Sequence, residues 1–332
     1  MERHRIEYID ILRGFCIFLV TFGHLLEKGG YHGGTLFQFI YSFHMPLFMA
    51  ISGFVMSFSF ERKFANKVLS LSNMIAFISN KFKRIMIPYY IWALFAVPFF
   101  FYCYDGSLCY EYRLRSVFIS NTSYWFLPCL FGLSVVYIIY KFILSRVPSN
   151  VFVKVVTLIS LLAILLGIYK ISHYDFLRSI SSYSIPFFLG VFMAEYKRVY
   201  NAICENPKVY MFCLLSFCLL VGLFISPTNN VLQKAVRFAC GLFAIPVCFN
   251  FVSHLKMPEI VSGKISYVGQ NTLIIYILQF SFLPGLISIP DMNLFLQIIY
   301  FSVLSVLLIY LILMISKIFE RSSVLSTLFL GK

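Results

Sequence analysis

The chain has 332 residues, of which 60% are apolar and only 12% charged, and a formal net charge of +14. A water-soluble domain is about half apolar and a quarter charged, so this few charges could not cover the surface of a soluble fold of this length. Lipid is the alternative solvent, because there apolar surface needs no cover and helices satisfy their own backbone groups. The positive balance does not mark a nucleic-acid binder: the basic residues stand in short clusters between apolar runs, as they do in cytoplasmic loops. No hydrophilic stretch is long enough for a separate soluble domain, so residues 1–332 read as one membrane domain.

A membrane-crossing helix needs about 20 mostly apolar residues. The first such run, 9–26, follows the basic Met1–Arg5 segment. It contains Arg13 and ends in His24-Leu25-Leu26-Glu27-Lys28, where a cleavable signal would offer small residues, so it reads as the first membrane helix. Nine more follow at 35–58, 85–104, 123–142, 152–170, 181–196, 209–225, 232–252, 266–287 and 294–316. The second is long, and Pro46 with Gly53 predicts a kink in it; the sixth is short and holds Pro186. With the N-terminus in the cytoplasm, predicted outside segments hold only Lys28, Arg113, Arg115, Lys170, Arg178 and Lys234. The other basic residues fall in inside segments, save Arg13 and Arg237 within the spans, as the positive-inside rule requires. The expected fold is an all-α polytopic bundle of about ten transmembrane helices with both termini cytoplasmic. Most of the nine cysteines, such as Cys16, Cys213, Cys218, Cys240 and Cys248, lie in apolar runs and act as small hydrophobes. Cys103 and Cys109 flank a predicted external loop, where a disulfide between them is one reading.

Ionisable groups inside a membrane helix are costly and mark candidate chemistry. The first span carries Asp10, Arg13 and His24. Asp10 and Arg13 are three apart and share a helix face, as a boundary ion pair or as part of a site. His24 comes eleven residues after Arg13, close to three turns and about 16 Å along the axis, so both side chains face the same sector. His44 lies near mid-span in Phe43-His44-Met45-Pro46-Leu47-Phe48, where an unpartnered ring is expensive. Pro46 frees a backbone carbonyl one turn earlier, which Ser42 or His44 is placed to satisfy. Two histidines on adjacent spans suit general-base chemistry. Lys81, Lys83 and Arg84, expected at the mouth of the third span, suit either a polyanion such as a nucleotide phosphate or simple positive-inside anchoring.

Several of these segments together resemble the acyltransferase 3 family of bacterial membrane O-acyltransferases. Tyr8-Ile9-Asp10-x-x-Arg13-Gly14 is similar to the family's opening pattern, and Arg13 and His24 meet its spacing of an Arg, ten residues and a His. Phe43–Phe54 looks like the corresponding stretch of the branch similar to fucose O-acetylases. Lys81-x-x-Arg84 stands where the family has Arg-x-x-Arg, and the Lys lacks the bidentate fork of an Arg. Tyr124-Trp125-Phe126-Leu127 resembles the family's Trp-Phe-Leu segment. Val268–Gln279 matches a stretch that usually ends in His, so Gln279 is expected to have no proton-transfer role. The resemblance implies transfer of acetyl from cytoplasmic acetyl-CoA, a co-substrate, to a hydroxyl of a cell-surface polysaccharide, with no metal. It implies a multi-pass protein of the bacterial inner membrane. Its partners would be a glycan acceptor and the lipid bilayer, with no nucleic acid; the oligomeric state stays open, a homo-oligomer included. In this reading His24 is general base or transient acyl carrier, with His44 as the second histidine, and Asp10 orients Arg13, which positions the acyl-bearing arm. Lys81, Lys83 and Arg84 hold donor phosphates, and Tyr124 and Trp125 face the sugar. The rival class is a glycan or lipid-linked precursor transporter, which predicts internal repeats and gives no reason for the Arg13–His24 spacing. A third reading is a scaffold subunit that tolerates loss of both residues.

Overall fold

The computed structural model describes residues 6–64, 69–100, 125–147, 150–172, 175–225, 230–282 and 292–332, and among them every regular element is helical. The long apolar runs leave the backbone no other way to satisfy itself away from water. In chain order the helices are α1 (Glu7–Lys28), α2 (Thr35–Phe64), α3 (Leu71–Phe100), α4 (Phe126–Leu144), α5 (Val151–Ser172) and α6 (Asp175–Glu195). After the short turns Lys197–Tyr200 and Asn201–Glu205 come α7 (Pro207–Ile225), α8 (Asn230–His254), α9 (Glu259–Gln270), α10 (Thr272–Phe282) and α11 (Leu294–Phe319). Each of the ten expected spans overlaps at least one of these helices. Among the described residues, seven helices are long and apolar enough to cross a membrane: α1, α2, α4, α6, α7, α8 and α11.

Two elements differ from expectation in a way that shapes the site. The ninth span was expected as one run over 266–287, yet the helix breaks at Asn271 between α9 and α10. Asn271 leaves helical geometry with φ −107° and ψ 18°, and its side-chain amide donates to the Tyr267 carbonyl at 2.8 Å. That bond competes with the helix ladder, which is why Asn suits a helix end. The third helix begins at Leu71, ten residues before Lys81. Polar Ser72, Asn73, Ser79 and Asn80 hide this part from an apolar-run reading, although Leu71, Ile75, Ile78 and Phe82 recur at helical spacing.

By packing, the chain divides into two compact units, Met1–Val55 with Pro186–Ser316 and Met56–Ile185 with Lys317–Lys332. In the first unit, glycines let backbones meet. A Cβ on Gly14 would lie 2.4 Å from the Ile265 carbonyl oxygen, and one on Gly269 would lie 1.8 Å from that of Asp10, so α1 and α9 touch main chain to main chain. Gly53 and Gly190 do the same for α2 and α6, against Phe187 and Ala50. Small residues at such crossings are how membrane helices gain contact where lipid supplies no hydrophobic drive. Phe212, Leu215 and Leu219 on α7 and Phe295, Val303 and Leu307 on α11 stay exposed, an apolar surface suited to lipid. The second unit packs Phe60 of α2 against Phe77 of α3 and Tyr137 of α4, with Lys141 paired to Glu61 at 2.6 Å. Its C-terminal turn lies along α3, where Trp92 donates to the Phe329 carbonyl at 2.9 Å.

Candidate active site

The polar residues of α1 form one stripe that faces α10. At its start Arg13 Nη1 donates to Asp10 Oδ1 at 3.2 Å, and Nη2 donates to Thr272 Oγ1 at 2.9 Å. Thr272 reaches Arg13 because the break at Asn271 makes it the first residue of α10, while Gly269 seats the preceding helix on the Asp10 carbonyl. Two turns further along α1, Thr21 Oγ1 lies 3.0 Å from the Ile17 carbonyl oxygen and 3.0 Å from Gln279 Oε1. One turn beyond that, the His24 ring meets Phe280 edge-on, with centroids 4.8 Å apart. Arg13 and His24 therefore both turn inward against the same helix, as their spacing predicts.

At the His24 end the polar groups come from three helices. His24 Nδ1 lies 3.5 Å from Glu27 Oε2, and Tyr41 donates its hydroxyl to the same oxygen at 3.4 Å. An ionised carboxylate only accepts, so Nδ1 carries the proton of this pair and Nε2 is the basic nitrogen of the neutral ring. Phe37 stacks on Tyr41 at 3.8 Å, and the bare backbone of Gly23 leaves room for the ring, since a Cβ there would come within 2.8 Å of it. His44 is 3% exposed and its ring lies 4.8 Å from that of Tyr41. Its Nδ1 donates to the Ile40 carbonyl at 2.7 Å, so its Nε2 is likewise the accepting nitrogen. Ser42 turns to the Phe39 carbonyl at 2.7 Å, so both side chains expected to repair the Pro46 gap bond to carbonyls nearer the start of α2. Arg237 of α8 donates Nε to the Tyr41 carbonyl at 3.0 Å, and both Arg237 and His24 lie within electrostatic reach of the His44 ring.

The remaining expected residues belong to the second unit. Lys83 and Arg84 are exposed, and Lys81 places its ammonium 5.6 Å from the Phe77 ring centre. Because α3 starts at Leu71, these cations lie along the side of a continuous helix, and the helix N-terminus contributes nothing to them. Trp125 stacks on Tyr183 at 5.0 Å. Tyr124, Cys103 and Cys109 lie outside the described residues. Of the buried thiols, Cys204 sits in the turn before α7, where burial pushes its pKa up to about 12 and keeps it a neutral thiol.

The spacing on α1 picks out Asp10, Arg13 and His24, but several neighbours carry no such signal. Thr272 arrives from more than 250 residues away with nothing in the sequence to mark it, and Gln279, marked only as standing where the family stretch usually has His, arrives from as far. Glu27 is visible only as part of a charged helix end. Arg237 stands out in the sequence as a cation within a span, the one feature that could have placed α8 at the site.

The acyltransferase 3 family model, described as an acyltransferase domain, matches residues 6–315. The chain is similar to the nodulation protein NolL of Mesorhizobium japonicum, 24% identical over 97% of this chain and 89% of that one. It is also similar to the nodulation protein NolL of Sinorhizobium fredii, 24% identical over 81% of this chain and 76% of that one. No solved structure matches it.

Proposed function

Given that the chain belongs to the acyltransferase 3 family and is an acyltransferase of a multi-pass membrane type, we propose that it moves an acetyl group from cytoplasmic acetyl-CoA to a hydroxyl of a cell-surface polysaccharide. The observation that carries this reading is the stripe on α1: a guanidinium held by Asp10 and Thr272 and, about 16 Å away, an imidazole whose Nδ1 faces a carboxylate.

In this reading the chain crosses a bacterial inner membrane ten times with both termini in the cytoplasm. Arg13, held by Asp10 and Thr272, is the cation assigned to the acyl-bearing arm of the donor. His24 acts as general base: with Nδ1 turned to Glu27, Nε2 takes the proton of the acceptor hydroxyl as its oxygen attacks the thioester carbonyl. Glu27 orients the ring and stabilises the imidazolium that forms, and Tyr41 holds Glu27. His44 and Arg237 supply further polar groups beside that end. Lys81, Lys83 and Arg84 are assigned to donor phosphates, with Trp125 and Tyr124 toward the sugar; acetyl-CoA is a co-substrate.

Incubation of the purified protein with labelled acetyl-CoA and a surface polysaccharide tests this reading. Label in the glycan, released by mild base as an ester, is the expected result. Absence of transfer, with uptake of a glycan or lipid-linked precursor into vesicles instead, would favour a transporter and sink the proposal.

A further inference from the structure

Among the described residues, the buried side-chain polar atoms without a hydrogen-bond partner are Gln38 Oε1 and Gln279 Nε2. Gln38 is a partly exposed residue near the start of α2. Gln279 is 0% exposed, and so is Thr21, its neighbour. A side-chain amide offers two N–H donors and one acceptor oxygen. The Thr21 hydroxyl has a single proton, which lies between the Ile17 carbonyl and Gln279 Oε1, both at 3.0 Å. As oriented, with Oε1 toward the Thr21 hydroxyl, the amide keeps a buried N–H with no acceptor. Leaving it there carries a desolvation cost that a Met of similar length would avoid.

The position of this leftover donor matters as much as its lack of a partner. Thr21 lies three residues before His24 and eight after Arg13, about 4.5 Å and 12 Å along the axis of α1. Gln279 thus meets the stripe between the group assigned to the donor's arm and the group assigned to the acceptor's proton. It is neutral, so it does not compete with His24 for that proton, and α1 and α10 shield it from water.

We propose that a Gln279 amide N–H binds the carbonyl oxygen of the acyl group and stabilises the oxyanion formed during transfer. The inference rests on the reading of His24 as base. The acceptor hydroxyl oxygen bonds to the thioester carbonyl carbon while its proton passes to His24 Nε2. The carbonyl π pair moves onto oxygen, where the Gln279 N–H meets the charge. When that pair returns, the carbon–sulfur bond breaks; sulfur leaves with its electrons and takes the proton from His24. The products are an O-acyl ester and the free thiol of coenzyme A. A fixed donor in a dry site is suited to this step, because it needs no reorganisation as charge develops.

The experiment compares wild type, Gln279→Met and Gln279→Glu as full-length purified protein, using labelled acetyl-CoA and the glycan acceptor, with thermal unfolding measured alongside. Gln279→Met is expected to lower kcat about 100-fold, the usual effect of removing one such donor. It should leave both KM values within about threefold and the unfolding midpoint unchanged or raised. Gln279→Glu keeps the shape but has no donor once ionised, so its activity is expected to lie below that of wild type and to fall further as the assay pH is raised. A Met variant with wild-type kcat overturns the proposal and leaves the amide to a structural water. Lost activity with a lowered midpoint in both variants also overturns it, as a packing effect. Failure of the wild type to transfer label would sink the enzymatic function itself, which separates the two failures.

Discussion

Substituting Gly269 by Ala probes the seating of α9 on α1. The added Cβ would lie 1.8 Å from the Asp10 carbonyl oxygen, 2.8 Å from its carbon and 2.9 Å from the Gly14 nitrogen. All three are backbone atoms, so no side chain can rotate away. A tolerable carbon–oxygen contact is about 3.3 Å, so α9 must retreat by about 1.5 Å. Thr272 follows only three residues later, and its 2.9 Å bond from Arg13 would stretch beyond hydrogen-bonding range. A displacement of about 1 Å at a positioning group can cost about 100-fold, and we expect a loss of that order in kcat/KM for transfer of labelled acetyl. Gly263, on the same helix, is the control: nothing lies within 4 Å of its added Cβ. Gly263→Ala should keep full activity and equal or slightly higher thermal stability, since Ala favours the helix by about 1 kcal/mol. Wild-type transfer by Gly269→Ala, with the protein folded and inserted, would refute the claim that this seat sets the position of Thr272 and Arg13.

Arg13→Lys keeps the charge but replaces a fork that holds Asp10 and Thr272 together with a single ammonium; we expect kcat/KM to fall about tenfold to 100-fold, chiefly through a higher KM for acetyl-CoA, measured by initial rates across donor concentration. Glu27→Gln removes the carboxylate that faces His24 Nδ1 and accepts from Tyr41. Because that carboxylate is about half exposed, the effect is screened, and we expect kcat to drop by roughly tenfold with KM nearly unchanged.

The sequence made the membrane class and the α1 stripe legible for physical reasons. Apolar runs of about 20 residues have one stable fold in lipid. Residues 10, 13 and 24 share a face by helical geometry alone, and their contacts with α10 agree. The partners across the interface were not legible, because spacing along one helix says nothing about which other helix lies beside it. Thr272 heads its helix because of the break at Asn271, and one Asn within an apolar run does not announce a helix end; Gln279 stood out through the resemblance, but not as the neighbour of Thr21. The start of α3 was hidden for a different reason. Its first turns are amphipathic rather than apolar, so the Lys81–Arg84 cluster looked like a helix mouth when it lies well inside the helix. Lys81, Lys83, Arg84 and Trp125 were legible as residues, yet their place in the reaction is a matter for assay.

The proposed transfer depends most on His24, assigned as its base, whose Nδ1 faces Glu27 and whose ring meets Phe280. The direct measurement is the acetyl content of the surface polysaccharide, by mass spectrometry, in a deletion strain carrying either wild-type protein or His24→Ala at matched membrane levels. Normal acetylation is expected with the wild type and none with His24→Ala. Wild-type acetyl content in the His24→Ala strain would contradict that assignment.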